Sequence, residues 1–159
     1  MKSIFLTKNK VAFVDDEDYK WLSEWVWCAK ESGGNKFYAV RRKSIQGFHV
    51  YMHKEIMKAN KNQNVDHING NTLDNRKDNL RICTHKQNLR NQKLSSANTS
   101  GYKGVSWNKR DKIWHAYIKV DQKRIHLGLF KNKINAAVAY NAAAEAYFGE
   151  FARLNEVGG

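Results

Sequence analysis

Between Val11 and Met57, short apolar and aromatic runs (KVAFV, WVWCA, FYAV, FHVYM) alternate with turn clusters such as SGGN and QG. Runs of four or five such residues bounded by Gly, Ser and Asn predict short strands. The acidic DDED ahead of YKWL predicts a helix N-terminus, where carboxylates meet exposed backbone amides. Residues 1–60 are therefore expected to be β-rich with one or two short helices. The dense aromatics Phe13, Tyr19, Trp21, Trp25, Trp27, Phe37 and Tyr38 are expected in its core, since aromatic side chains dominate small cores.

A second pattern begins near residue 61. Val65 to Ile68 is a short apolar step interrupted by Asp66 and His67, Asn69-Gly70 is a strong turn signal, and Leu80 to Cys83 resumes a strand. Thr84 with Gln87 three residues on is a capping-box pattern, predicting a helix through about Gln92. The order is strand, long Asn-rich loop, strand, helix. KLSSANTSG, Lys93 to Gly101, is small and polar and reads as a linker or loop.

The third pattern is strict alternation. In WHAYIKV, Trp114, Ala116 and Ile118 alternate with His115, Tyr117 and Lys119; in KRIHLGLF, Ile125, Leu127 and Leu129 alternate with Arg124, His126 and Phe130. One sheet face is thus apolar and the other basic and polar. KINAAVAYNAAAEAYFG predicts an alanine-rich helix ending at Gly149, whose small side chains let it lie close to the apolar face. The chain as a whole reads as modular α+β.

Composition narrows the function. Lys and Arg number 28 against 15 Asp and Glu, a formal charge of +13 with pI near 9.8, which points to an acidic partner. The surplus is spread almost evenly over residues 1–60, 61–94 and 95–159, so no basic tail causes it. No apolar run approaches a spanning helix and MKSIFLTKNK is too short for a secretory signal, so a cytoplasmic protein without membrane contact is expected, in a bacterial or phage-infected host cell. Cys28 and Cys83 lack any CxxC partner and are expected as small buried residues, which excludes zinc fingers and ribbons.

The stretch VDHINGNTLDNRKDNL with the helix after it resembles the HNH nuclease family and its ββα-metal fold, in the phage and intron homing-endonuclease branch. The resemblance implies that Asp66 and Asn88 hold a divalent metal, Mg²⁺ or Mn²⁺, that His67 is the general base, and that Asn79 holds the imidazole in position. These residue types suit the chemistry. Oxygen donors from carboxylate and amide fit a hard cation, and an imidazole is neutral often enough near pH 7 to take a proton from water. Adjacent strand residues point to opposite faces, so a bend or bulge is expected at Asp66-His67 if both serve one site. His85 and Asn91 are lesser ligand candidates, and His53 is expected to be structural, with positioning of the nuclease core as the alternative.

The C-terminal segment, through GYKGVSW, WHAYI, HLGLF, AAVAYNAAA and ARLN, resembles the plant ethylene-response-factor (APETALA-type) DNA-binding domain. That resemblance implies that a three-stranded sheet packed on one helix meets double-stranded DNA through Lys103, Ser106, Asn108, Lys119, Arg124 and His126. The expected organisation is a β-rich, DNA-contacting segment (1–60), a nuclease unit (61–94), a linker (95–100) and a DNA-binding domain (101–157). The expected function is a metal-dependent, phage-type homing endonuclease acting as a monomer without an obligate protein partner. The alternative is a non-catalytic DNA-binding regulator carrying a relic nuclease unit.

Overall fold

The computed structural model describes residues 1–43, 47–95 and 97–158, in two compact units, Met1–Asn88 and Leu89–Gly159. Gln46 of the QG turn and Ser96 of the linker lie outside the described residues. No described helix is long and apolar enough to cross a membrane. The architecture is α+β, as the sequence predicts.

The first unit contains a hairpin, β1 (Lys2–Phe5) with β2 (Val11–Val14), then α1 (Asp16–Leu22). A three-stranded antiparallel sheet follows, β3 (Cys28–Glu31), β4 (Phe37–Arg42) and β5 (His49–Tyr51), leading into α2 (Met52–Ile56). The antiparallel pair β6 (Asn64–His67) and β7 (Leu80–Cys83) carries the Asn-rich loop between its strands and leads into α3 (His85–Arg90), whose last two residues belong to the second unit. Asp15 to Asp18 form the cap and first turn of α1, as the acidic run predicts. One core joins these pieces: Ile4, Ala12 and Val14 of the hairpin meet Leu22, Trp27, Ala39, Met52, Ile56, Val65 and Leu80. Residues 1–60 and the strands β6 and β7 thus bury their apolar surface against one another.

Three expectations change. Trp27 is buried and donates its Nε1–H to the Leu22 carbonyl at 2.8 Å, but Trp25 and Tyr19 are exposed at 50% and 37%. Trp25 lies on the surface with the Arg41 guanidinium 4.1 Å from its ring centroid, cation–π contact replacing burial. Cys83 is buried as expected whereas Cys28 is exposed, because it sits on the outward face at the start of β3. The third is the end of α3, which stops at Arg90 rather than Gln92. There the Lys103 ammonium donates to the carbonyls of Arg90 (2.8 Å) and Gln92 (2.9 Å), satisfying acceptors that a helix end leaves without an intrahelical partner.

The second unit is the three-stranded antiparallel sheet β8 (Val105–Asn108), β9 (Ile113–Val120) and β10 (Lys123–Phe130), with β9 central, covered on one face by α4 (Lys133–Phe148). Ala116 and Ile118 pack against Ala136, Ala137, Tyr140 and Ala144 of the helix, the close approach predicted from small residues. Asn132 caps α4 by accepting from the Ile134 amide at 2.7 Å, and Gly149 ends it with φ 54°. The tightest point is Gly104 (φ +69°), where a Cβ would stand 2.0 Å from Tyr140 Cδ2 and 2.4 Å from the Tyr117 carbonyl oxygen. Asn155, in ARLN, accepts from the Lys103 amide (2.6 Å) and donates to its carbonyl (3.1 Å), closing the unit.

The expected alternation on β10 breaks in one place. His126 pairs with Tyr117 but Gly128 with Ala116, so Leu127 is an extra residue in a bulge. A bulge of one residue reverses the phase of everything after it. Leu129 consequently faces out, 52% exposed, and Phe130 turns in to pack with Val105 and Ala136, opposite to the alternation read from sequence.

Candidate active site

The Asn-rich loop between β6 and β7 is a set of side chains that satisfy the backbone a turn leaves open. Asn69 Oδ1 accepts from the Asn71 amide (2.7 Å), Asn71 Oδ1 from the Leu73 amide (3.2 Å), and Gly70 (φ 73°) donates its N–H to the His67 carbonyl (2.8 Å). Arg76 grips both oxygens of Asp74 at 2.8 Å, and with Asn69 Nδ2 it holds that carboxyl below its ordinary value. The loop is tied to the first sixty residues by Asn75 N–H to the Phe13 carbonyl (2.7 Å), Phe13 N–H to the Leu73 carbonyl (2.9 Å) and Thr72 Oγ1 to the Phe37 carbonyl (2.6 Å).

His67 and Asp66 end β6, both almost wholly buried, and the pairing with β7 runs Asp66 to Arg81 and His67 to Leu80 with no shift. No register shift marks the expected bulge at this pair, and the Asp66 charge nonetheless acts on both the His67 imidazole and the Tyr38 phenol beside it. Asp66 Oδ2 receives Arg81 Nε (3.0 Å) and Nη2 (2.7 Å). Cys83, two residues beyond Arg81 on β7, has its thiol pushed up first by burial and then by the Asp66 charge, against the opposing pull of Arg81 and the Asn88 backbone. The N–H of Asn88, the residue that starts the second half of α3, donates to the Thr84 carbonyl at 3.1 Å. Thr84 and Gln87 form the predicted capping box, Gln87 Oε1 accepting from the Thr84 amide (2.8 Å) and Thr84 Oγ1 from the Gln87 amide (3.3 Å). This fixes the start of the helix that carries Asn88.

His67 Nε2 lies 3.2 Å from Asn75 Oδ1. Asn75 is 1% exposed, and its Nδ2 donates to the Leu73 carbonyl at 3.2 Å. Asn79, expected to orient the imidazole, acts elsewhere: its Oδ1 accepts from the Asn69 amide (2.9 Å), its Nδ2 donates to the Asp74 carbonyl (2.8 Å), and its carbonyl accepts from Ile68 N–H (2.9 Å). It closes the loop directly behind His67 and so fixes the backbone rather than the ring. His53 stands edge-on to His67 at 5.0 Å between ring centroids, with Tyr38 6.1 Å away from His67. Burial, His67 and Lys54 push His53 down to about 3, and burial likewise lowers His67, against the opposing pull of Asn75, Asp66 and Asp74. Both imidazoles are held neutral. His85 is exposed on α3 and Asn91 lies just past its end, in the second unit.

Asn75 and Tyr38 are residues that sequence reading missed at this site, whereas it singled out His53. Asn75 sits in the quoted motif, but its partner depends on the path of the loop. Tyr38 and His53 come from strands and helices distant in sequence.

A family profile described as HNH endonuclease matches residues 59–90, the span just described. The chain is 30% identical over 150 residues to an uncharacterized HNH endonuclease of Acanthamoeba polyphaga mimivirus, covering 94% of this chain and 77% of that one. This chain belongs to the HNH endonuclease family. It is also 36% identical over 90 residues to "Protein 3.8" of Escherichia phage T7, covering 57% of this chain and 74% of that protein.

For an HNH nuclease, the remaining expected residues lie in the second unit. Register places Ser106 beside His115, Tyr117 beside His126 and Lys119 beside Arg124, all on the sheet face away from α4. Arg124 stacks on Tyr117 (3.7 Å to the centroid), His115 meets His126 at 5.6 Å, and Asn108 Nδ2 lies 3.2 Å from His115 Nε2. Five of the six expected contacts thus share a region with His115 and Tyr117, which the expectation omitted. Lys103 is apart from them: burial and Arg153 lower it to about 8, and its ammonium is turned onto the carbonyls near the end of α3.

Proposed function

We propose that this HNH nuclease is a metal-dependent DNA endonuclease of the homing type, with His67 as general base, Asp66 and Asn88 as metal ligands and the sheet of the second unit as an ethylene-response-factor-like DNA reader. The observation that carries the catalytic part is the His67–Asn75 pair. Because Asn75 Nδ2 is committed to the Leu73 carbonyl, its Oδ1 faces the ring, and an acceptor there requires the proton on His67 Nε2. The lone pair is then on Nδ1, and burial keeps it unprotonated. In the step that follows, a water oxygen bonds to phosphorus, its proton passes to His67 Nδ1, and the bond from phosphorus to the 3′ oxygen breaks. Asn79 keeps β6 from moving by bonding to Ile68 and Asn69, next to the base.

The donor set fits a hard divalent cation. Asp66 offers a carboxylate and Asn88 an amide oxygen, and a carboxylate has acceptor sites for Arg81 and a cation together. Bound there, Mg²⁺ or Mn²⁺ would stabilise charge on the phosphate and the leaving oxygen. Arg124, Lys119, His126, Ser106 and Asn108 support DNA reading because phosphate and base-edge donors share one solvent-facing surface. With one Asp-His…Asn…Asn set in the chain, a monomer should nick. Supercoiled plasmid carrying the target should become open circle with Mg²⁺ and stay supercoiled with chelator. Cleavage indifferent to chelator would contradict the metal assignment, and binding without any cleavage would favour the regulator.

A further inference from the structure

The β3–β4–β5 sheet has two unlike faces. Phe37 and Ala39 turn to the core of the first unit, so the period of two puts Tyr38, Val40 and Arg42 on the other side. Register adds Lys30 beside Tyr38, Tyr51 beside Val40 and His49 beside Arg42 on that same side. One end of this face abuts the proposed base. Tyr38 lies 6.1 Å from His67 and 5.5 Å from His53, Tyr51 lies 5.9 Å from Tyr38, and the Lys30 ammonium sits 5.6 Å from the Tyr51 ring centroid. Tyr38 and Tyr51 are half-buried and keep contact with solvent, while Lys30, Arg42 and His49 are exposed. Burial, Tyr51 and Asp66 raise the Tyr38 phenol, which therefore remains a hydrogen-bond donor. Among the described residues no carboxylate pairs with Lys30 or Arg42, whereas Arg41 on the opposite face is held by Glu55.

We propose that this face is a phosphate track: the backbone of the DNA strand to be cut runs over Arg42, Tyr51, Lys30 and Tyr38 and delivers the scissile phosphodiester to His67. The assignment rests on the nuclease reading and gives residues 1–60 a defined part in it. Phenol donors and unpaired cations on one side of a sheet are the groups that position phosphates without reading sequence. The apolar residue among them, Val40, is buried, and register sets the exposed Cys28 beside it, so the face offers a ligand its cations, phenols and a thiol.

Binding of a duplex target by the full chain in a His67→Ala background tests this without cleavage. Lys30→Gln with Arg42→Gln should flatten the slope of log affinity against log salt by about 1.8, or 0.9 per phosphate released. Lys20→Gln with Lys58→Gln removes the same charge from exposed positions off this face and should change the slope by less than half as much. With His67 restored, the Lys30/Arg42 pair should raise KM about tenfold in low salt with kcat at saturating DNA nearly unchanged, and Tyr38→Phe should lower kcat. Equal slopes for the two pairs overturn the track. If His67→Ala itself cleaves normally, the nuclease reading fails, while the binding slopes still judge the track on their own.

Discussion

The His67 centre and the outward sheet face of the second unit both collect polar side chains, but in opposite ways. Around His67 they are buried and committed to one another: Asn75 at 1% exposure bridges the ring and a carbonyl, Asp66 receives two N–H groups of Arg81, and Asn79 makes three bonds within one loop. On the sheet, Ser106, Asn108, His115, Lys119, Arg124 and His126 stand half-buried or exposed above strands whose other face carries the core. Buried polar groups that lose a partner carry the full cost of desolvation, whereas exposed ones return to water. The first region is thereby fixed in geometry and the second is free to vary in chemistry without loss of fold.

Gly104→Ala gives the largest effect and tests the limit of that freedom. The sheet tolerates change only on its outer face, and a Cβ beneath it would enter Tyr140 and the Tyr117 carbonyl. The second unit should lose on the order of 3 kcal/mol from overpacking and a left-handed alanine, seen as faster amide exchange confined to residues 102–158. Unchanged protection would mean that the helix moves aside freely. Asn75→Ala comes next, leaving the His67 ring and the Leu73 carbonyl without their amide, and should cost about 2 kcal/mol in denaturant unfolding. A loss below the scatter of surface variants would break the contrast drawn above.

Protons sharpen the comparison further. His53 is held near 3 in the fold against an ordinary value of 6.5. The unfolded chain takes up the proton first as pH falls below 6.5, so stability present above 6.5 is lost toward pH 3, at about 1.4 kcal/mol per pH unit for one such group. His53→Phe should flatten this slope in urea titrations between pH 6 and 4; an unaltered slope would show that other groups cause it. The smallest effect on stability belongs to Arg124→Ala, within about 0.5 kcal/mol because the side chain is on the surface. Its effect on DNA is larger, a salt slope shallower by about 0.9, and an unchanged slope would remove Arg124 from the interface.

What the sequence revealed follows the same divide. The strands, the capping box at Thr84 and Gln87 and the Ala-rich α4 were legible because each is a local pattern. The sheet face was legible up to His126, where the bulge reversed the phase; a glycine within a strand, Gly128 in HLGLF, was the available signal. Asp66 and His67 stood out as a motif, but the choice of Asn75 over Asn79 as partner of the ring depends on how twelve loop residues fold back on Phe13. The contribution of Tyr38 was invisible for a simpler reason. It reaches His67 only through tertiary packing of β4 near β6, which no pattern within either segment encodes.

The central claim is that the buried pair at the end of β6 does the chemistry while affinity resides on exposed cationic surfaces. Cleavage and affinity measured side by side for His67→Ala test it most directly. The account predicts a rate lower by about 10²–10⁴-fold, the usual contribution of proton transfer, with the dissociation constant for duplex target unchanged. Cleavage at the wild-type rate by that variant would contradict it.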